Sequence, residues 1–219
     1  FIAESLIGQN AQANVATSFV DTSKSKNPKW KFVIFIVFSA LVILSFYSVV
    51  LGWILKYIYI SFSTLPVGTQ AATETFNNLV SKDIFSQIVL HTIISVTVIW
   101  IVLKGIKDGI EKLNLILMPL LAIILFGLFI YSLSLNSFSK SVEFMFYADW
   151  SKINSDAFLA ALGQAFFTLS LGIGTIITYA ASLPKDVNIV KSSIFVAMFD
   201  TVIALIAGVI IFSFLFEAG

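Results

Sequence analysis

Long apolar stretches separated by short polar connections dominate the pattern of this chain. Five of them reach the length of about 20 residues at which a helix crosses a bilayer while satisfying its own backbone hydrogen bonds. We predict these spans at about 32–62, 84–103, 113–135, 157–183 and 194–216. The connections are too short for a separate soluble domain. Residues 1–219 are therefore interpreted as a single all-α domain, a polytopic transmembrane helical bundle.

Composition supports a membrane protein and excludes several other classes. Hydrophobic residues make up 58% of the chain and charged residues 11%, a balance unsuited to a water-exposed surface. The formal net charge is +1, so no basic field exists that would bind nucleic acid. The chain has no cysteine and one histidine, His91, which removes thiolate sites and most imidazole chemistry. We expect a lipid bilayer as a partner and no bound cofactor.

The distribution of lysines predicts the orientation, because basic loops stay cytoplasmic. One side of the predicted spans carries nine lysines: Lys24, Lys26, Lys29, Lys31, Lys104, Lys107, Lys112, Lys185 and Lys191. The opposite side carries Lys82, Lys140 and Lys152. The nine-lysine side is therefore predicted to be cytoplasmic. Lys56, near the outer end of the first span, is interpreted as an anchor whose stem reaches the headgroups.

Asp200 is the most unusual polar residue, because it lies inside the last predicted span. A carboxylate there costs about 2.5–3.5 kcal/mol on insertion scales and should have a compensating partner. Small residues on its face, among them Ala204 and Gly208, would let a neighbouring backbone approach. Two interpretations remain open: a cation ligand, or a carboxyl group near the interface that is hydrated or protonated.

The fourth predicted span contains Gly172 and Gly174 close to Thr168 and Ser170. Glycines this close weaken a helix, and broken helices at membrane depth can hold carboxylates and cations at their ends. Ser170 and Gly174 also form a small-xxx-small pair, which is common where helices simply pack. The spacing alone fits an interruption near 170–174 and helix packing equally well.

Tyr47 lies in the middle of the first span, too deep for an interfacial aromatic residue. It shares a helix face with Ile43, one turn earlier. Its hydroxyl group needs a partner, which could be another helix or a ligand.

These motifs resemble the neurotransmitter:sodium symporter family, including its bacterial amino-acid transporters. The stretch 163–174, followed by 176–179, is similar to the sixth helix of that family. Further matches cover the chain: Glu4 and Gly8 in the second helix, Tyr47 with Trp53 in the third, Gly109 and Pro119 in the fifth, and Asp200 with Gly208 in the seventh.

The resemblance implies a fragment of a larger fold built from two inverted five-helix repeats. It would cover the end of family helix two through helix seven. The first and eighth helices, which complete the substrate and sodium sites in the family, would lie outside it.

The resemblance also implies roles for residues around the substrate. Tyr47 would donate its hydroxyl group to the substrate carboxylate, and Phe167 would cover the pocket from outside. Ser170 would lie at the unwound turn beside the substrate. Ile43 and Ile173 would line the side-chain subsite, which favours a hydrophobic or aromatic amino acid.

The same resemblance implies an ion site. Thr168 would offer oxygen to sodium and a carbonyl group to the substrate amine, Asp200 would bind the same ion, and Gln164 would support the site. Chloride-dependent relatives place a serine where this chain has Ala204. A fixed carboxylate can replace a mobile anion beside sodium, so we expect transport to be independent of chloride.

Ser182 replaces a tyrosine that helps to latch the cytoplasmic gate in several relatives.

The expected function is sodium-coupled symport of a small amino acid into the cell by alternating access. A non-transporting or regulatory relative is the main alternative. A channel would show a continuous polar stripe, whereas the polar positions here gather at one depth. A membrane-embedded enzyme is disfavoured because His91 has no acidic neighbour in its span. We expect no enzyme activity. The sequence does not decide whether the protein forms a homodimer.

Overall fold

The structure is a computed structural model that describes residues 1–63, 65–147, 149–150 and 153–218. Lys152, assigned above to the outer side, lies outside the described residues. The described residues form ten α-helices and no β-strand. The helices are α1 Ile2–Ala11, α2 Val15–Thr22, α3 Val37–Ser61, α4 Thr69–Ser81, α5 Ile84–Leu103, α6 Lys112–Leu133, α7 Phe138–Phe146, α8 Ser155–Thr168, α9 Thr175–Ala180 and α10 Ile189–Ala218.

Two helical segments depart from α geometry. The first predicted span begins in a 3₁₀ helix, Pro28–Ile36, that leads into α3. Side chains three residues apart eclipse in a 3₁₀ helix, and the rings of Phe32 and Phe35 accordingly stack with centroids 6.3 Å apart. Phe38, just inside α3, continues the stack at 5.9 Å from Phe35. A π-helical turn, Ile106–Glu111, precedes α6, which continues through Pro119 to Leu133.

Four helical stretches of the described chain are long and apolar enough to cross a membrane: Pro28–Ser61, Ile84–Leu103, Ile106–Leu133 and Ile189–Ala218. Most of their large apolar side chains are exposed, which is unfavourable in water. The fourth predicted stretch, 157–183, instead contains the two shorter helices α8 and α9. The helix is interrupted between them, as described below.

The chain divides into two compact units, and each is described by itself. The first unit comprises Phe1–Ile43 and Phe146–Ile206. At its core α1 packs against α9, where Ile177 and Ala180 are 1% and 2% exposed. Gly8 permits this close approach, because a Cβ atom there would overlap the carbonyl oxygen of Ile177.

The end of α1 also holds the loop between α9 and α10. The side-chain amide of Gln9 donates to the carbonyl oxygens of Pro184 at 2.7 Å and Val187 at 3.1 Å. Gln12 reaches the carbonyl oxygen of Leu183 at 3.4 Å. These bonds satisfy carbonyl groups just before α10 begins.

The second unit comprises Leu44–Met145 and Ala207–Gly219. Small hydroxyl residues are fully buried in it, as is common between membrane helices: Ser132, Ser141 and Ser213 are 0% exposed. Ser137 Oγ donates to the carbonyl oxygen of Ser213 at 2.6 Å, and Ser137 N donates to Glu217 at 3.1 Å. These bonds join the start of α7 to the end of α10. The sequence predicted that a neighbouring backbone would approach Gly208 closely. The structure places the side chain of Met145 there instead, and a Cβ atom on Gly208 would meet it.

A polar cluster within the second unit joins α3 to the start of α5. Lys56 Nζ lies 3.2 Å from both Asp83 Oδ2 and Ser86 Oγ. Sequence reasoning gave Lys56 a headgroup environment, whereas the structure gives it a carboxylate partner. Hydrogen bonds from Ser86 and Lys56 hold the pKa of Asp83 below its usual value. Next to this cluster, Trp53 Nε1 donates to Gln87 Oε1 at 3.2 Å.

Candidate functional site

The helix is interrupted between Thr168, the last residue of α8, and Thr175, the first residue of α9. Gly172 and Gly174 have φ angles of 78° and 81°, which glycine adopts readily. Ser170 has a φ of 53°, a conformation that costs free energy for a residue with a Cβ atom. Of the two interpretations left open, the structure shows the break.

Hydrogen bonds within the first unit stabilise this break. Leu171 N donates to the carbonyl oxygen of Phe166 at 2.9 Å, which closes the end of α8. Gly172 N donates to Glu4 Oε1 at 2.8 Å, whereas Glu4 Oε2 is buried and has no partner in the described part of the chain. The α1 carboxylate therefore holds an amide group that the helix has released.

In the sequence, Glu4 is a match to the family without a predicted role. The available signal was the one applied to Asp200: an acidic residue in an apolar helix needs a partner. The partner could not be identified, because Gly172 lies far away in sequence and is released only by the break.

Three of the predicted site residues, Thr168, Ser170 and Asp200, line one cavity of about 370 Å³ in the first unit. Ser5 of α1 and Ser193 of α10 line the same cavity. The cavity therefore brings the break, the carboxylate and several hydroxyl groups together. Such hard oxygen donors suit a small cation, and the carbonyl end of a half-helix adds negative potential.

Asp200 is half-buried on α10. Within the described residues no lysine forms an ion pair with it. The neighbouring residue Thr201 bonds back to the carbonyl oxygen of Ala197 at 2.9 Å and so satisfies its own hydroxyl group. Asp200 is the one charged side chain among the described residues that line the cavity.

The other predicted site residues lie elsewhere. Phe167 and Gln164 are exposed on α8, Ile173 is half-buried in the break, and Ile43 is half-buried on α3. None of these four is among the residues that line the cavity. Tyr47 belongs to the second unit, where its ring meets Phe46 edge to face with centroids 6.1 Å apart.

Comparison with known families gives one match that covers most of the chain. The sequence model described as the sodium:neurotransmitter symporter family matches residues 79–218. This range contains the helix break and Asp200.

Similar proteins include two uncharacterised sodium-dependent transporters. One, from Haemophilus influenzae, is 33% identical over 100% of this chain and 50% of its own length. The other, from Bacillus subtilis strain 168, is 31% identical over 100% of this chain and 48% of its own length. The chain thus spans about half the length of the curated relatives it matches.

A solved structure has the same fold. The crystal structure of MhsT in complex with L-phenylalanine matches with a TM-score of 0.88 and 37% identity. The match covers 100% of this chain and 50% of that chain. The all-α fold predicted from sequence is therefore confirmed, and it is the fold of the matched half of the MhsT structure.

Proposed function

Because the chain belongs to the sodium:neurotransmitter symporter family, we propose that the protein containing it carries out sodium-coupled uptake of a hydrophobic or aromatic amino acid. The observation that carries this proposal is the cavity at the helix break, where Thr168 and Ser170 lie with the carboxylate of Asp200. Transport proceeds by alternating access, and sodium is the coupling ion.

Sodium binds between Asp200 and Thr168 in this proposal. The carboxylate balances the charge of the ion in a medium of low dielectric, and the threonine supplies a neutral oxygen. Gln164, four residues before Thr168 on α8, supports the ion site as a further polar group. One sodium ion moving down about 100 mV, with a tenfold gradient, supports about a few-hundredfold accumulation of substrate.

The substrate is held by residues on both sides of the break and on α3. Tyr47 donates to its carboxylate, Ser170 lies beside it, and Phe167 covers it. Ile43 and Ile173 surround its side chain. The L-phenylalanine in the MhsT complex supports a substrate with a large apolar side chain.

Transport is independent of chloride in this proposal. Asp200 provides a permanent negative charge beside the ion, and Ala204, one turn later, offers no hydroxyl group to hold an anion. The protein works in the bacterial inner membrane, with its nine-lysine side facing the cytoplasm.

The test is uptake of radiolabelled L-phenylalanine, L-leucine and L-tryptophan into proteoliposomes that contain the complete reading frame. Uptake should require external sodium and should be unchanged when gluconate replaces chloride. Asp200→Asn should lower uptake about tenfold or more, because contacts of a charged group contribute about 1.5–3 kcal/mol. Thr201→Val, which removes a hydroxyl group already bonded to its own helix, is the matched control and should keep wild-type uptake.

Two results would contradict the proposal. Loss of uptake in chloride-free medium would overturn the role given to Asp200 as a fixed counter-charge. Binding of an amino acid without sodium-driven accumulation would favour the alternative, a non-transporting relative of the same fold.

A further inference from the structure

Ser193 has a buried hydroxyl group that the proposed function does not use. The residue is 5% exposed, and its Oγ atom has no hydrogen-bond partner in the described part of the chain. A buried polar group without a partner costs free energy, so it points to a ligand or to water.

Two other hydroxyl groups on α10 behave differently. Thr201 Oγ1 donates to the carbonyl oxygen of Ala197 at 2.9 Å, and Ser213 Oγ donates to that of Val209 at 2.8 Å. A serine or threonine in a membrane helix ordinarily satisfies itself in this way. Ser193 lacks such a bond and lines the cavity that contains Asp200.

The cavity extends along α10 from Ser193 to Asp200. They are seven positions apart, which is about 10 Å and two turns along one helix face. The volume of about 370 Å³ holds several waters, each of which occupies about 30 Å³ in the liquid. Ser193 lies toward Lys185 and Lys191, on the side predicted to be cytoplasmic.

The lining favours a cation. Asp200 contributes a carboxylate, Ser193 and Ser5 contribute hydroxyl groups, and none of the residues that line the cavity, all of them described, is basic. Asp200 is the one charged side chain of this lining, and it would repel an anion.

We propose that this cavity is the route by which sodium leaves Asp200 for the cytoplasm, and that Ser193 Oγ is a transient ligand on that route. The inference rests on the proposed function, because it requires sodium at Asp200. It adds a second position, two turns nearer the cytoplasm, where the partly hydrated ion is held during release.

The test measures release of ²²Na⁺ from the complete protein in proteoliposomes, together with the equilibrium affinity for sodium. Ser193→Ala should slow release about fivefold, the size of effect expected when one hydrogen-bonding oxygen is lost. Its equilibrium affinity should stay within about twofold of wild type, because Asp200 and Thr168 are intact. Ser193→Thr, which keeps the hydroxyl group, should restore the rate.

Ser192→Ala is the matched control. Ser192 is the adjacent serine and lines the same cavity, but it is exposed. It should release sodium at the wild-type rate. Equal slowing by Ser192→Ala and Ser193→Ala would overturn the role of Ser193, and so would a wild-type rate in Ser193→Ala.

Asp200→Ala, which removes both carboxylate oxygens, separates this inference from the proposed function. If Asp200→Ala binds sodium as wild type does, the proposed ion site is wrong and the release route falls with it. If Asp200→Ala loses sodium binding while Ser193→Ala releases sodium normally, the ion site stands and only the route is wrong.

Discussion

Single polar side chains of this protein obtain their partners from elements that are distant in sequence. Glu4 accepts from the amide group of Gly172, and Gln9 donates to carbonyl groups of the loop before α10. In the second unit, Lys56 pairs with Asp83. Burying any of these polar groups without a partner would cost free energy in an apolar medium. Each contact therefore holds one element against another.

We expect the Lys56–Asp83 pair to make the stability of the fold depend on pH. The pKa of Asp83 is lowered in the folded chain by hydrogen bonds from Ser86 and by Lys56. The ionised Asp83 carboxylate therefore stabilises the fold fully at pH values above its pKa in the unfolded chain, about 4. This stabilisation is lost as the pH falls through the lowered pKa of the folded chain. We expect Asp83→Asn to lower the thermal midpoint in detergent at neutral pH, and the difference from wild type to shrink below about pH 4.

The matched control is Asp186→Asn. Asp186 is exposed in the loop between α9 and α10. This variant should follow the wild-type pH profile. A constant difference between wild type and Asp83→Asn from neutral to acid pH would show that the charge of Asp83 does not contribute.

The two half-helices α8 and α9 depend on backbone conformations that only some residues tolerate. A Cβ atom added at Gly172 would meet no heavy atom within 4 Å, so substitution there tests the left-handed φ alone. Gly163, inside α8, is equally open but does not have a positive φ. The two glycines therefore separate conformational strain from steric contact.

Gly172→Ala should destabilise the broken conformation by about 1–2 kcal/mol. Such a change lowers the population of that conformation about 5- to 30-fold relative to a continuous helix. Sodium-dependent uptake should fall with it, whereas Gly163→Ala should transport as wild type. Equal activity of both alanine variants would mean that transport does not need the break at Gly172.

The periodicity and length of the apolar stretches predicted where helices lie, and the glycine spacing predicted where one of them could break. Neither pattern distinguished a helix break from close helix packing, because Ser170 and Gly174 fit both interpretations. Residues close in sequence to the break, such as Thr168, were placed at the site by the motif. Ser5 and Ser193 were missed because their relevance comes from the cavity that α1 and α10 both line, which no local pattern records.

At the scale of the whole molecule, the family and the four apolar helices identify an integral membrane protein. Hydropathy locates the membrane spans but does not give their orientation. The distribution of charge predicts which end of each helix faces the cytoplasm. Lys107 and Lys185 belong to the nine-lysine side, and Lys82 belongs to the other. The proposed release route depends on this orientation, because Ser193 is near the Lys185 side.

Single cysteines can test the orientation, since the chain itself has none. Lys82→Cys and Lys185→Cys replace exposed side chains on opposite predicted sides and should not disturb packing. In intact cells that express the complete reading frame in a cysteine-free background, an impermeant maleimide should label Lys82→Cys. It should label Lys185→Cys only after permeabilisation, and Lys107→Cys should behave like Lys185→Cys. The reverse pattern would invert the topology and make the cavity at Ser193 open outward, because both depend on the same charge asymmetry.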